Sequence, residues 1–172
     1  MRRILAAFVL VAAAGGASPA WAQDRTLGLG VGYVKPSDVD ATIWFTGNAQ
    51  FKLAKDILVE PELGFWKKSA SFPGVLDVSI RDLDLGANAL YTTVHDSVRI
   101  SAGAGLGVHF LQGAVGVLGF SDSDSSTKIG VHFLAGATFG HAKSAHFFVN
   151  ARYDVVSDFN QFKLYGGVRF KL

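Results

Sequence analysis

The chain has 172 residues, is 49% hydrophobic and 17% charged, carries a formal net charge of +2 and contains no cysteine. Disulfides and thiolate–metal chemistry are therefore excluded, and the charge gives no basis for a nucleic-acid partner. No stretch beyond the N-terminal region reaches ~18 apolar residues, which excludes a helical membrane protein but not a β-barrel, whose strands hide half their residues from a hydropathy window.

Arg2 and Arg3 precede a short apolar run, Ile4 to Ala14, and Ala20-Trp21-Ala22 supplies a small-x-small cleavage pattern before Gln23. The run is too short for a spanning helix, so residues 1–22 read as a cleaved signal peptide and residues 23–172 as one domain. Removing Arg2 and Arg3 leaves equal numbers of basic and acidic residues.

Eight segments then alternate in polarity with a period of two, as strands with unlike faces do. Leu27, Leu29, Val31 and Tyr33 alternate with glycines, and Ile43 to Leu53 alternates with Thr42, Trp44, Asn48, Gln50 and Lys52. Ile57, Val59, Leu63 and Phe65 oppose Glu60 and Glu62, and Leu83 to Tyr91 opposes Asp82, Asp84 and Asn88. The cleanest segment sets Val98, Ile100, Ala102, Ala104, Leu106, Val108 and Phe110 against Arg99, Ser101, His109 and three glycines. Ile129 to Phe139 follows with His132 on its polar side, then Phe147 to Val155 with Asn150, Arg152 and Asp154. The last segment sets Phe162, Leu164, Val168 and Phe170 against Lys163, Tyr165, Arg169 and Lys171.

The connections also alternate. Lys55-Asp56, Val94 to Ser97 and Gly140 to Ser144 are short polar turns, whereas Pro36–Asp40, Lys67–Val78, Gln112–Thr127 and Ser157–Asn160 read as external loops. The pattern predicts an all-β protein, an eight-stranded antiparallel up-and-down transmembrane barrel. Charges and glycines share one parity, which suits a crowded lumen and puts the apolar parity against lipid. The expected lumen network is Lys52, Glu60, Glu62, Asp82, Asp84, Arg99, His132, Arg152, Asp154 and Arg169. Phe51, Tyr91, Phe139, Phe147 and Phe170 would form one aromatic girdle near the short turns. Tyr33, Phe45, Phe65, Phe110, Tyr153 and Phe162 would form the other. Pro61 removes a ladder hydrogen bond and predicts a bulge or strand end.

The stretches Val59 to Trp66 (VEPELGFW), Gly103 to Gly107 (GAGLG), Phe147 to Asp154 (FFVNARYD) and Gly167 to Phe170 (GVRF) resemble the small outer-membrane β-barrel domains, the porin family related to the OmpA and OmpX transmembrane regions. The resemblance spans the whole mature chain and implies a Gram-negative outer-membrane location, monomeric state, assembly by the barrel-assembly machinery, and contact with outer-membrane lipid and lipopolysaccharide. Leu172 stands where the family's usual final residue is aromatic.

Lumen charges could form an ion pathway, but an eight-stranded barrel has little interior room beyond its side chains, which favours a salt-bridged plug. Hairpin folding is expected to bring Gln50 or Lys52 opposite Glu60, and His132 close to Asp154. His141, Ser144 and His146 lie close together in sequence, but the His-x-Ser pair of barrel deacylases does not occur. No catalytic, cofactor or metal site is expected, and Ser121 to Ser126 lacks the ligand set of a calcium loop. The apolar run Val115 to Phe120 is open to two readings, lipopolysaccharide or partner contact and an upward continuation of the wall. The function expected is non-enzymatic, in envelope integrity or surface interaction. The alternatives are a narrow channel for small solutes and a soluble periplasmic carrier of lipocalin type.

Overall fold

The computed structural model describes residues 25–72, 76–117, 120–140 and 145–172. The expected signal peptide, His141 and Ser144 lie outside them. Eight strands form one closed antiparallel barrel: β1 (Arg25–Pro36), β2 (Thr42–Ala54), β3 (Ile57–Phe72), β4 (Leu76–His95), β5 (Val98–Val117), β6 (Phe120–Phe139), β7 (Ala145–Val156) and β8 (Gln161–Lys171). Each strand pairs with its neighbour in sequence, and β1 closes the ring against β8 from Thr26↔Lys171 to Pro36↔Gln161. No described helix is long and apolar enough to cross a membrane.

The alternation seen in the sequence sets the two faces. Leu29, Tyr33, Phe45, Leu106 and Phe147 are exposed on the outside, whereas Glu60, Asp82, Asp84, Arg152 and Lys163 have no exposure at all. An inward apolar face of the kind a soluble carrier needs is therefore the reverse of what the barrel has. Burying ~25 Å of apolar wall in hydrocarbon and the charges within the lumen is the arrangement of a transmembrane barrel.

Two expectations are corrected. The stretches Lys67–Val78 and Gln112–Thr127 are mainly strand: β3 to β6 continue past the barrel rim and pair out to Phe72↔Leu76, Leu76↔Val117 and Val117↔Phe120. The apolar run Val115 to Phe120 thus belongs to the ends of β5 and β6, apart from residues 118–119, which are not described. Pro61 makes no bulge, because Asn48↔Glu62 and Phe51↔Val59 keep one register on either side of it. The register shift falls instead between Lys52 and Ala54, beside the turn.

The external sheet formed by the outer parts of β3 to β6 has a free edge. Among the described residues β6 pairs with β7 only from Gly130 inward, so the backbone of residues 120–129 pairs with β5 alone. Asp122 Oδ1 accepts from the Ser123 amide at 2.9 Å, and Asp124 Oδ1 from the Ser125 amide at 2.8 Å. These carboxylates occupy donors that an approaching strand would otherwise use.

Candidate functional site

The lumen holds a charged layer between two apolar layers. Toward the short-turn end lie Leu58, Leu90, Leu134 and Phe148, and toward the long-strand end lie Val34, Trp66, Leu111, Val156 and Phe159, all buried. Phe159 comes from the connection between β7 and β8 and stacks on Trp66 at 6.1 Å, closing the outer mouth.

Between these layers Arg152 of β7 is the hub. Its Nε donates to Asp154 Oδ1 at 2.6 Å, its Nη1 pairs with Glu62, and its Nη2 lies 3.4 Å from Asp84 Oδ1 and 3.1 Å from His132 Nε2. Lys163 of β8 donates to Asp84 Oδ2 at 2.6 Å and lies 2.8 Å from Asp154 Oδ2. Its ammonium also sits 4.7 Å from the centre of the Trp44 ring, a cation–π arrangement. Tyr165 donates to Glu62 Oε2 at 2.9 Å and meets Trp44 edge-on at 4.5 Å.

A lower group joins Glu60 to Arg169 Nη2 at 2.7 Å and to Gln50 Nε2 at 2.7 Å, with the Arg169 guanidinium 4.2 Å from the Phe148 ring. An upper group joins Asp82 to Gln161 Nε2 at 2.7 Å and to His109 Nδ1 at 2.9 Å. Ligand atoms of Asp82, Asp84 and His109 converge within 4.8 Å. Asp84, however, is already held by Lys163 and Arg152, and two resident cations oppose a third.

Glycines make this packing fit. A Cβ on Gly32 would lie 2.4 Å from Tyr165 Cα, and one on Gly107 would lie 2.3 Å from His132 Nε2. The large lumen side chains therefore lie over strands that carry no side chain at the point of closest approach.

Of the expected network, Glu60, Glu62, Asp82, Asp84, His132, Arg152, Asp154 and Arg169 are buried together in the lumen. His132 and Asp154 are directly paired in the β6–β7 register, and Gln50 rather than Lys52 reaches Glu60. Lys52 is exposed beside the β2–β3 turn, and Arg99 is only half-buried near the β4–β5 turn, so both are corrected out of the buried network. Strand ends near water release long cationic side chains to solvent. Lys163, Gln161, Tyr165 and His109, beyond the expected set, join the network, and all four lie on the polar parity of their segments.

The aromatic residues fall on the outer face. Tyr33, Phe45, Phe65, Tyr153 and Phe162 are exposed toward the long-strand end, with Phe110 half-buried. Tyr91, Phe139, Phe147 and Phe170 are exposed toward the short turns, with Phe51 half-buried. Neighbours pair across strands as Phe45↔Phe65, Tyr153↔Phe162 and Phe139↔Phe147. His146 Nδ1 lies 3.2 Å from the Gly140 carbonyl oxygen.

The fold is shared with known outer-membrane proteins. A major outer membrane protein from Thermus thermophilus superposes with a TM-score of 0.70 at 11% identity, over 87% of this chain and 100% of that one. Neisserial surface protein A gives 0.66 at 20% identity, over 86% and 97%. Ail, the attachment invasion locus protein of Yersinia pestis, solved with the heparin analogue sucrose octasulfate, gives 0.63 at 14% identity, over 86% and 96%. No curated protein matches the sequence. The outer membrane protein beta-barrel domain model matches residues 5–170, so this chain, an eight-stranded barrel of the Gram-negative outer membrane, belongs to that family.

Proposed function

We propose that this protein is a closed, non-catalytic barrel that contributes to envelope integrity and presents its external sheet for surface contact. One observation carries the reading: the ionised centre of the lumen has zero exposure and is covered at both ends by buried apolar side chains. Ions crossing it would have to displace charge pairs already formed in a dry interior, and breaking a buried pair costs about 3–5 kcal/mol. The external sheet supplies the surface, because β4, β5 and β6 are 20 residues each, about twice the 9–11 needed to cross the bilayer. Ail and neisserial surface protein A share the fold and lend this reading analogy only.

Single-channel recording of the refolded protein tests the closed lumen, with insertion verified by heat-dependent migration on a detergent gel. Folded, inserted protein is expected to pass no steady current, and Phe159→Ala, which removes the outer cover, is expected to stay silent because the charged layer remains. A steady wild-type current would overturn the reading in favour of a narrow pore.

A further inference from the structure

The outer face changes chemistry within one step above the outer girdle. Phe65, Leu83 and Phe110 are cross-strand neighbours on β3, β4 and β5 and belong to the outward parity. Two residues further along each strand, roughly 7 Å, the same face carries Lys67, Arg81 and Gln112, again in register.

Lys67 and Arg81 are both exposed and directly opposite each other, an arrangement that is unfavourable for like charges unless an anion lies between them. Neither has a carboxylate partner among the described residues. Arg81 is nevertheless held in place, with its Nε donating to Gln112 Oε1 at 2.9 Å and its Nη2 to the same oxygen. The next outward row contains Ser69 and Ser79 and no acid. At the opposite end, this face of the same strands carries Ile57, Tyr91 and Ile100 and no Lys or Arg.

We propose that the outward face of β3–β5 binds a phosphorylated glycolipid of the outer leaflet. Its phosphate would lie between Lys67 and Arg81, its acyl chains along Phe65, Leu83 and Phe110, and its sugar hydroxyls beside Ser69 and Ser79. A basic pair over an apolar wall matches an anion that is itself anchored in the membrane, and Gln112 pre-positions the guanidinium for a charge-assisted contact. A soluble anion would use the two charges but not the wall beneath them. The inference deepens the envelope-integrity reading by naming a lipid and a face. It does not depend on the closed lumen, so a conducting wild type would leave it standing.

The test uses the refolded protein in phosphatidylcholine nanodiscs, titrated with bis-phosphorylated lipid A and separately with the same glycolipid after removal of its phosphates. The heat-unfolding midpoint is the readout. Phosphorylated lipid A is expected to raise the midpoint of wild type and of the periplasmic-turn control Lys55→Gln. Lys67→Gln with Arg81→Gln should weaken the apparent affinity on the order of tenfold or more, and Gln112→Ala by a few-fold. Equal responses to the dephosphorylated lipid, or an unchanged response in the double variant, would overturn the proposal. So would inorganic phosphate or a heparin-like polysulfate acting as strongly as the lipid, which would make the face a site for soluble polyanions.

Discussion

Strand β5 passes through two environments. From Ile100 to Phe110 its residues alternate between the lipid-facing Ile100, Ala104, Leu106 and Val108 and the lumen-facing Ser101, Gly105 and His109. From Gln112 outward it runs Gln-Gly-Ala-Val-Gly between Ser79 and Arg81 on β4 and Asp124 and Ser125 on β6. The same ladder of backbone bonds continues through both halves. What changes is that hydrocarbon no longer lies on one side or packed charge on the other, so side-chain identity is released while pairing persists. The membrane band is held by side chains, and the external sheet by its backbone.

Substitutions should separate the two regions by the size of their effects. The largest is expected at Arg152→Ala, which leaves Glu62, Asp84 and Asp154 short of a counter-charge in the dry lumen. Urea unfolding of the barrel in vesicles should show a loss of about 3–5 kcal/mol, and full stability would mean the layer is wetter than its burial indicates. Leu106→Arg places a charge on the lipid face and should lower stability by ~2–4 kcal/mol in the same assay, whereas Ala114→Arg, on the same face of the same strand in the external sheet, should be near neutral. Gly107→Ala drives a methyl into His132 and should cost about 1–3 kcal/mol unless the imidazole shifts aside. The smallest effect on stability is expected from joint Asp122→Val and Asp124→Val changes on β6. These should leave unfolding within roughly 0.5 kcal/mol while increasing self-association on sizing columns, because the edge amides lose their caps.

The sequence made the membrane band readable because lipid imposes a period of two on every residue that touches it. Leu27 to Tyr33 and Val98 to Phe110 show this directly. Lys67 to Phe72, Leu76 to Arg81 and Phe120 to Lys128 do not, since water lies on both sides and Ser, Gly, Ala and Asp satisfy a strand there as readily as a loop. The lumen was readable as a parity and, within single hairpins, as the Gln50–Glu60 and His132–Asp154 neighbours, but not as the contacts made across the ring. Lys163 shares the parity of Arg169, but its place beside Asp84 and Asp154 depends on β8 closing against β1 and on the stagger of the ring, which no local pattern encodes. Lys52 and Arg99 share that parity too but are not buried, because they stand near strand ends, where a long side chain reaches water.

Among the described residues, four of the buried carboxylates, Glu60, Glu62, Asp82 and Asp84, come from β3 and β4, and the three buried Lys and Arg cations, Arg152, Lys163 and Arg169, come from β7 and β8. The early strands therefore emerge with charge they cannot neutralise locally, and the late strands bring the opposite sign from the far edge of the sheet. A partly assembled, open sheet must keep its concave face hydrated, since drying it would strand the acids. Sealing of the ring by β1 and β8, expulsion of water and pairing of the opposite charges thus become one cooperative step. A chain that has not delivered its last strand has no sealed intermediate in which to rest.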